Sequence, residues 1–85
     1  MSHSLQILRR AQKELAQLPD AYYVQVRDAI RDLANNPRPH GCRKLTGRQG
    51  WRIRVGDYRV IYDIDDKEAT VTVVNIGHRR DIYKS

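Results

Sequence analysis

Arg52, Arg54 and Arg59 fall within one short stretch of the chain. Arg43, Lys44 and Arg48 precede them, and His78, Arg79, Arg80 and Tyr83 follow nearer the C-terminus. Guanidinium groups present planar forks of N–H donors that match phosphate oxygens two at a time, and they keep their charge at neutral pH. A cluster of them suits the gripping of a phosphodiester and the stabilisation of charge that builds on its oxygens during transfer. His78 has an ordinary pKa of about 6.5, the range of a proton carrier, but taken alone it reads as a surface or hydrogen-bonded histidine. His3, His40 and His78 with the single Cys42 give no metal-ligand spacing, so neither a metal nor any other cofactor is expected. There is no glycine-rich phosphate loop and no serine nucleophile elbow. The acids between 63 and 68 read as solvated turn residues.

The chain has 85 residues and a net charge of +6, with 16 basic against 10 acidic side chains. This length accommodates one domain, expected to span residues 1–85. A lone cysteine excludes a disulfide framework, and no run approaches the roughly 20 apolar residues of a membrane span; a cytoplasmic protein is expected. The charge is unevenly placed: residues 42–62 hold six basic groups and one acid, Asp57. Such a concentration is a local field directed at an anion.

The elements that must position these residues follow from hydrophobic period. Residues His3 to Leu8 make a short first strand. From Arg9 the period is helical, with Ala11, Leu15 and Leu18 on one face until Pro19 stops the run. Asp20 is expected to N-cap a second helix whose apolar stripe is Tyr22, Val26, Ala29, Ile30 and Leu33, ended by Asn35-Asn36-Pro37. Residues 37–50 are loop, with a short strand near Arg43–Leu45. The period then changes to two: Trp51–Val55, a Gly56-Asp57 turn, Tyr58–Ile64, a turn over Asp65–Glu68, and Ala69–Ile76. The fold class is α+β, with a short N-terminal strand and a helical hairpin packed on a small antiparallel β-sheet.

A two-residue turn at Gly56-Asp57 sets Val55 opposite Tyr58, Arg54 opposite Arg59, Ile53 opposite Val60 and Trp51 opposite Tyr62. Trp51, Ile53, Val55, Tyr58, Val60, Tyr62 and Ile64 then form a core face. Arg52, Arg54, Arg59, Ile61 and Asp63 form the other. With a second turn of two or four residues, Val71 and Val73 join the core side. Thr70, Thr72, Val74 and Ile76 lie with the arginines, and His78 follows them if the strand runs on without a bulge. Like charges directly opposite each other destabilise a sheet, so the Arg54–Arg59 pair points to a phosphate site. A solvated sheet face with edge-protecting charge is the alternative reading of the same pattern.

Lys44-Leu45-Thr46-Gly47, the run Trp51-Arg52-Ile53-Arg54-Val55-Gly56-Asp57-Tyr58-Arg59-Val60-Ile61-Tyr62, and Gly77-His78-Arg79 with Asp81-Ile82-Tyr83 together resemble the RelE/ParE superfamily of toxins from toxin–antitoxin operons. The helical segment carrying Ala11, Lys13, Glu14, Leu15, Leu18 and Pro19 is similar as well, so the resemblance covers essentially the whole chain. It implies a RelE-like microbial ribonuclease-type fold, a cytoplasmic setting and a cognate antitoxin that wraps the toxin in a hetero-oligomer. An unrelieved arginine patch on a basic domain suits an acidic antitoxin segment. The RelE branch enters the ribosomal A site and cuts mRNA without a metal, through attack of the ribose 2′-hydroxyl on the adjacent phosphate. The ParE branch inhibits DNA gyrase and generally lacks the basic catalytic set; an RNA-binding relic that does not cut is a third possibility. Carried over by position, the cleavage residues are Arg52, Arg54, Arg59, Arg79 and Tyr83. Lysine is common in RelE members at the positions of Arg52 and Arg54, and arginine at that of Thr46. Arginine does not give up its proton, so this departure from the family pattern leaves charge stabilisation to Arg54, Arg59 and Arg79 and proton handling to His78 or Tyr83, with His78 favoured on pKa. Arg43, Lys44, Arg48, Arg52 and Arg80 are then RNA- and phosphate-binding residues.

Overall fold

The alternation of β-branched and aromatic residues after position 50 makes one continuous meander, and the two helices before it cover its apolar face. The computed structural model describes residues 2–82. Its elements are β1 (Ser4–Ile7), α1 (Arg9–Ala16), α2 (Asp20–Leu33), β2 (Arg43–Lys44), β3 (Trp51–Val55), β4 (Tyr58–Asp65) and β5 (Thr70–His78). They form a five-stranded sheet in the order β1-β5-β4-β3-β2. The sheet is mixed: β1 runs parallel to β5, with Leu5 opposite Val71 and Ile7 opposite Val73, whereas all other pairs are antiparallel. Among the described residues no helix is long and apolar enough to cross a membrane.

The core is built where helical and strand periods meet. Ala11 of α1 and Val26, Ile30 and Leu33 of α2 are buried against Ile53, Val60, Tyr62, Val71, Val73 and Ile76. The helix entry differs from expectation at one position. Pro19, extended at φ −54° and ψ 146°, is the cap residue, and its carbonyl accepts the Tyr22 and Tyr23 N–H groups at 2.9 Å. Asp20 is instead the first helical residue, where its carboxylate still favours the positive end of the helix dipole.

The β3–β4 register is the one expected from the two-residue turn, from Val55 opposite Tyr58 to Trp51 opposite Tyr62. The β4–β5 register is not continuous. Ile61 faces Asn75 and Tyr62 faces Val73, which leaves Val74 as an extra residue. A bulge of one residue inverts every later side chain. Ile76 therefore turns into the core, 2% exposed, instead of joining the arginines. Beyond the end of β1, Glu14 of α1 accepts the Ile76 N–H at 2.9 Å.

The loop between α2 and β3 is tied down at its start. The Tyr62 hydroxyl donates to the Pro37 carbonyl at 2.7 Å. Burial first, and the neighbouring Cys42 thiol second, push the Tyr62 phenol far above its ordinary pKa, so it stays a neutral donor. Arg38 lies over the Trp51 ring at 5.0 Å and pairs with Asp66 at 2.8 Å, and His3 reaches the same carboxylate at 3.3 Å.

Tyr62→Phe removes the bond to Pro37 and leaves a carbonyl short of a partner. The expected cost is about 1–2 kcal/mol in urea unfolding. A change below a few tenths would show that the loop is anchored elsewhere. The Asp66 carboxyl is held below its ordinary pKa by hydrogen bonding from Arg38 and then from His3. A depressed carboxylate contributes stability above its unfolded pKa and loses it as pH falls through the folded one. The stability deficit of Asp66→Asn should be present near neutrality and vanish as unfolding is measured at pH values falling below about 4.

Candidate functional site

The site begins at the tightest turn of the sheet. Gly56, at φ +59°, and Asp57 are the only residues between β3 and β4. This conformation is one that non-glycine residues rarely adopt. A Cβ on Gly56 would also press on the Tyr22 ring of α2, at 3.3 Å from Cε1. The hairpin end is thus braced by a helix, and Tyr58 continues the brace with its ring centroid 4.8 Å from that of Tyr22.

On the opposite face the register sets two rows of residues across the strands. Arg43, Arg52, Ile61 and Asn75 form one row, from β2 to β5. Arg54, Arg59 and Gly77 form the next. The expected opposition of Arg54 and Arg59 in the register is therefore present. Arg59 is drawn onto the turn, where its Nη1 donates to the carbonyls of Gly56 and Tyr58 at 3.0 Å. Arg79, just past β5, reaches the same turn from the other side: its N–H donates to the Asp57 carbonyl at 2.8 Å and its Nε lies 3.6 Å from Asp57 Oδ1. One turn thus gathers two guanidinium groups, one carried by β4 and one by the residue just past β5, with Arg54 directly across from the first.

Arg43, Lys44, Leu45, Thr46, Arg48 and Arg52, with Cys42, line a groove of about 650 Å³ at the β2 edge. The Leu45 N–H donates to the Gly50 carbonyl at 2.9 Å and closes the loop that shapes it, with Gly47 and Gly50 at φ +74° and +123°. Among the described residues, no carboxylate oxygen lies within 4.0 Å of the nitrogens of Arg43, Lys44, Arg48, Arg52, Arg54 or Arg80. Asp63 shares their face, but its carboxylate sits against Gly50.

Three sequence expectations change here. The bulge at Val74 puts His78 opposite Tyr58, on the helix-facing side, where the two rings meet edge to face at 5.6 Å. Its Nδ1 accepts the Arg80 N–H at 3.2 Å. His78 therefore does not follow the arginines across the sheet. The arginine face is also not fully open. Asp81 and Ile82 turn back by donating their N–H groups to the His78 carbonyl, and Ile82 packs so closely on Gly77 that a Cβ there would lie 3.0 Å from its Cδ1. Ile61, Asn75 and Ile82 are all buried on this side. Third, Asp57 is more than a turn residue. The signal available in the sequence was its isolation as the single acid among the six cations of residues 42–62. Tyr83 lies outside the described residues.

Comparison with known proteins places these features in a family. Residues 5–83 match the family described as the ParE toxin of type II toxin–antitoxin systems, parDE. Toxin RelG of Mycobacterium tuberculosis is 33% identical over 88 residues, covering 99% of each chain. The fold is similar to that in an archaeal RelE–RelB complex from Pyrococcus horikoshii, with a TM-score of 0.82, 29% identity and coverage of 95% of this chain and 99% of that one. It is similar also to that in a RelBE toxin–antitoxin complex of Mycobacterium tuberculosis, with a TM-score of 0.81, 26% identity and coverage of 93% and 100%.

If the Arg54–Arg59 opposition costs stability, relieving it should raise stability. Arg54→Gln is expected to gain about 0.5 kcal/mol in urea unfolding at low salt. The gain should shrink at about 0.5 M salt, where exposed charges are screened. A loss of stability at low salt would show that the two guanidinium groups are already compensated.

Proposed function

The chain belongs to the ParE toxin family of type II toxin–antitoxin systems, and we propose that within it this toxin is a ribosome-dependent endoribonuclease of the RelE kind. The observation that carries this reading is the convergence of Arg59 and Arg79 on the Gly56-Asp57 turn, with Arg54 directly opposite Arg59. A clamp of this composition binds a phosphodiester and stabilises charge on its non-bridging oxygens.

In the proposed reaction the ribose 2′-hydroxyl attacks the adjacent phosphorus. The O2′–P bond forms, the P–O5′ bond breaks, and the products are a 2′,3′-cyclic phosphate and a 5′-hydroxyl. Arg54, Arg59 and Arg79 hold the phosphate, while Arg43, Lys44, Arg48 and Arg52 at the groove, together with Arg80, hold flanking backbone. Ribosomal binding of mRNA in the A site supplies the attack geometry. Proton transfer falls to Tyr83 or to His78, which would have to reach the phosphate from the helix-facing side of β5. An acidic antitoxin covering the arginine face would block the clamp, a role consistent with the RelB partners in the similar complexes. A toxin acting this way works in the cytoplasm.

The test is purified protein added to programmed ribosomes, with the 5′ ends of the mRNA mapped. Cuts inside A-site codons are expected, and Arg59→Ala should slow them by about 10²-fold or more while leaving the protein folded. A pH–rate profile with no group titrating between about pH 5 and 8 would remove His78 as the proton carrier. The family's own description as a ParE toxin favours one other reading, a non-enzymatic inhibitor of gyrase. Intact mRNA together with blocked supercoiling would establish that instead.

A further inference from the structure

We infer that Asp57 is the resident counter-ion and positioning residue of the arginine clamp, holding Arg79 beside Arg59 until a phosphate takes its place; this rests on the phosphate-transfer reading above. Asp57 holds Arg79 by two different atoms. Its carbonyl fixes the Arg79 backbone through a 2.8 Å hydrogen bond, and its carboxylate sits 3.6 Å from Arg79 Nε. The neighbouring carbonyl of Gly56 holds Arg59 Nη1 at 3.0 Å. The turn is itself braced by Tyr22, whose ring a Cβ on Gly56 would meet at 3.3 Å. A position set by the helix is thereby passed through Gly56-Asp57 to both arginines.

The side-chain contact is made to be exchanged. At 3.6 Å it is an ion pair and too long for a hydrogen bond, and the two side chains are 54% and 55% exposed. Pairs of this kind contribute little to stability. Asp57 also meets the guanidinium through Nε, one of several N–H donors, so an incoming oxyanion has the remaining donors to engage first. The carboxylate therefore does two opposing things. It competes with RNA for the charge of Arg79, and it keeps that charge aimed at the place where the scissile phosphate arrives.

Removing only the charge separates the two effects. Asp57→Asn should bind a 2′-O-methyl RNA oligonucleotide, which lacks the attacking hydroxyl, roughly two- to fivefold more tightly than the wild type in fluorescence anisotropy. The same variant should cleave mRNA on programmed ribosomes about tenfold more slowly in single turnover, because Arg79 is no longer aimed. Asp57→Glu should return the affinity towards the wild-type value. A residue that merely shapes the turn would not tighten binding. Unchanged or weaker affinity in a folded Asp57→Asn protein overturns the proposal, and so does undiminished cleavage. A measurement on the unaltered protein guards against a variant that fails to fold. The Arg79 Nε–H resonance should shift as the Asp57 carboxyl is protonated in an acid titration followed by NMR, and a resonance that ignores this protonation also overturns the proposal. Should the wild-type toxin fail to cut at all, the ribonuclease reading falls, while the oligonucleotide affinities and the resonance still decide the role of Asp57.

Discussion

The structure depends on a turn of two residues. Because only Gly56 and Asp57 separate β3 from β4, Arg54 and Arg59 have no register in which they avoid each other. The repulsion is local and modest, a few tenths of a kcal/mol to about 1 kcal/mol for directly opposed like charges. On the reverse face of the same hairpin, Ile53, Val60 and Tyr62 are buried against the helices. Fully burying a side chain of this size contributes roughly 1.5–3 kcal/mol. A single such residue outweighs the arginine pair, so the fold holds the clamp in an unfavourable electrostatic arrangement without strain on its backbone.

The two faces of the sheet are not treated alike at its β5 end. Val74 interrupts the alternation, and Glu14 takes up the Ile76 N–H just past the bulge. Two consequences arise from that one extra residue. Ile76 enlarges the core, and His78 is carried to the helix side, where it meets Tyr58. Gly77 is left between them on the arginine face, and its missing Cβ is what lets Ile82 fold back over the sheet. The chain thus reverses just after His78 and delivers Arg79 to the turn that already holds Arg59.

The legible parts of this molecule were those governed by local chemistry. A glycine-first turn and strict alternation from Trp51 to Tyr62 determine a register, and the register determines which arginines meet. The helical stripe from Tyr22 to Leu33 is similarly self-contained. What could not be read depends on contacts between distant segments. The bulge at Val74 leaves no mark in a run of threonine and valine, since every residue there suits either face. The parallel direction of β1 is invisible in a strand with weak alternation, because it is set by pairing with Thr70–Val73 far along the chain. The burial of Ile61 beside the arginines requires the C-terminal turn to be folded over the sheet. Asp20 missed the cap position because Pro19, with its fixed φ and no N–H to lose, suits the residue before the first helical turn equally well. For the site, the opposed arginines were legible and the attachment of Arg79 to Asp57 was not, because that contact joins the start of β4 to the end of β5, beyond the bulge that shifts their register.

Arginine, where lysine is common at the positions of Arg52 and Arg54 in RelE members, narrows what this face can do. A crowded lysine relieves repulsion by giving up its proton and then becomes a base. A crowded arginine keeps its charge, and relief comes from hydrogen-bond acceptors such as the turn carbonyls or from an anion. Among the described residues the carboxylate within 4.0 Å of the Arg79 guanidinium is that of Asp57. The cationic field of the clamp is therefore constant across the neutral pH range, and any titration seen in its chemistry must come from a group outside it. That separates the labour of the site into a fixed part and a variable part. In the proposed reaction the arginines and their turn would define where a phosphate sits, and a residue other than these arginines would move the proton.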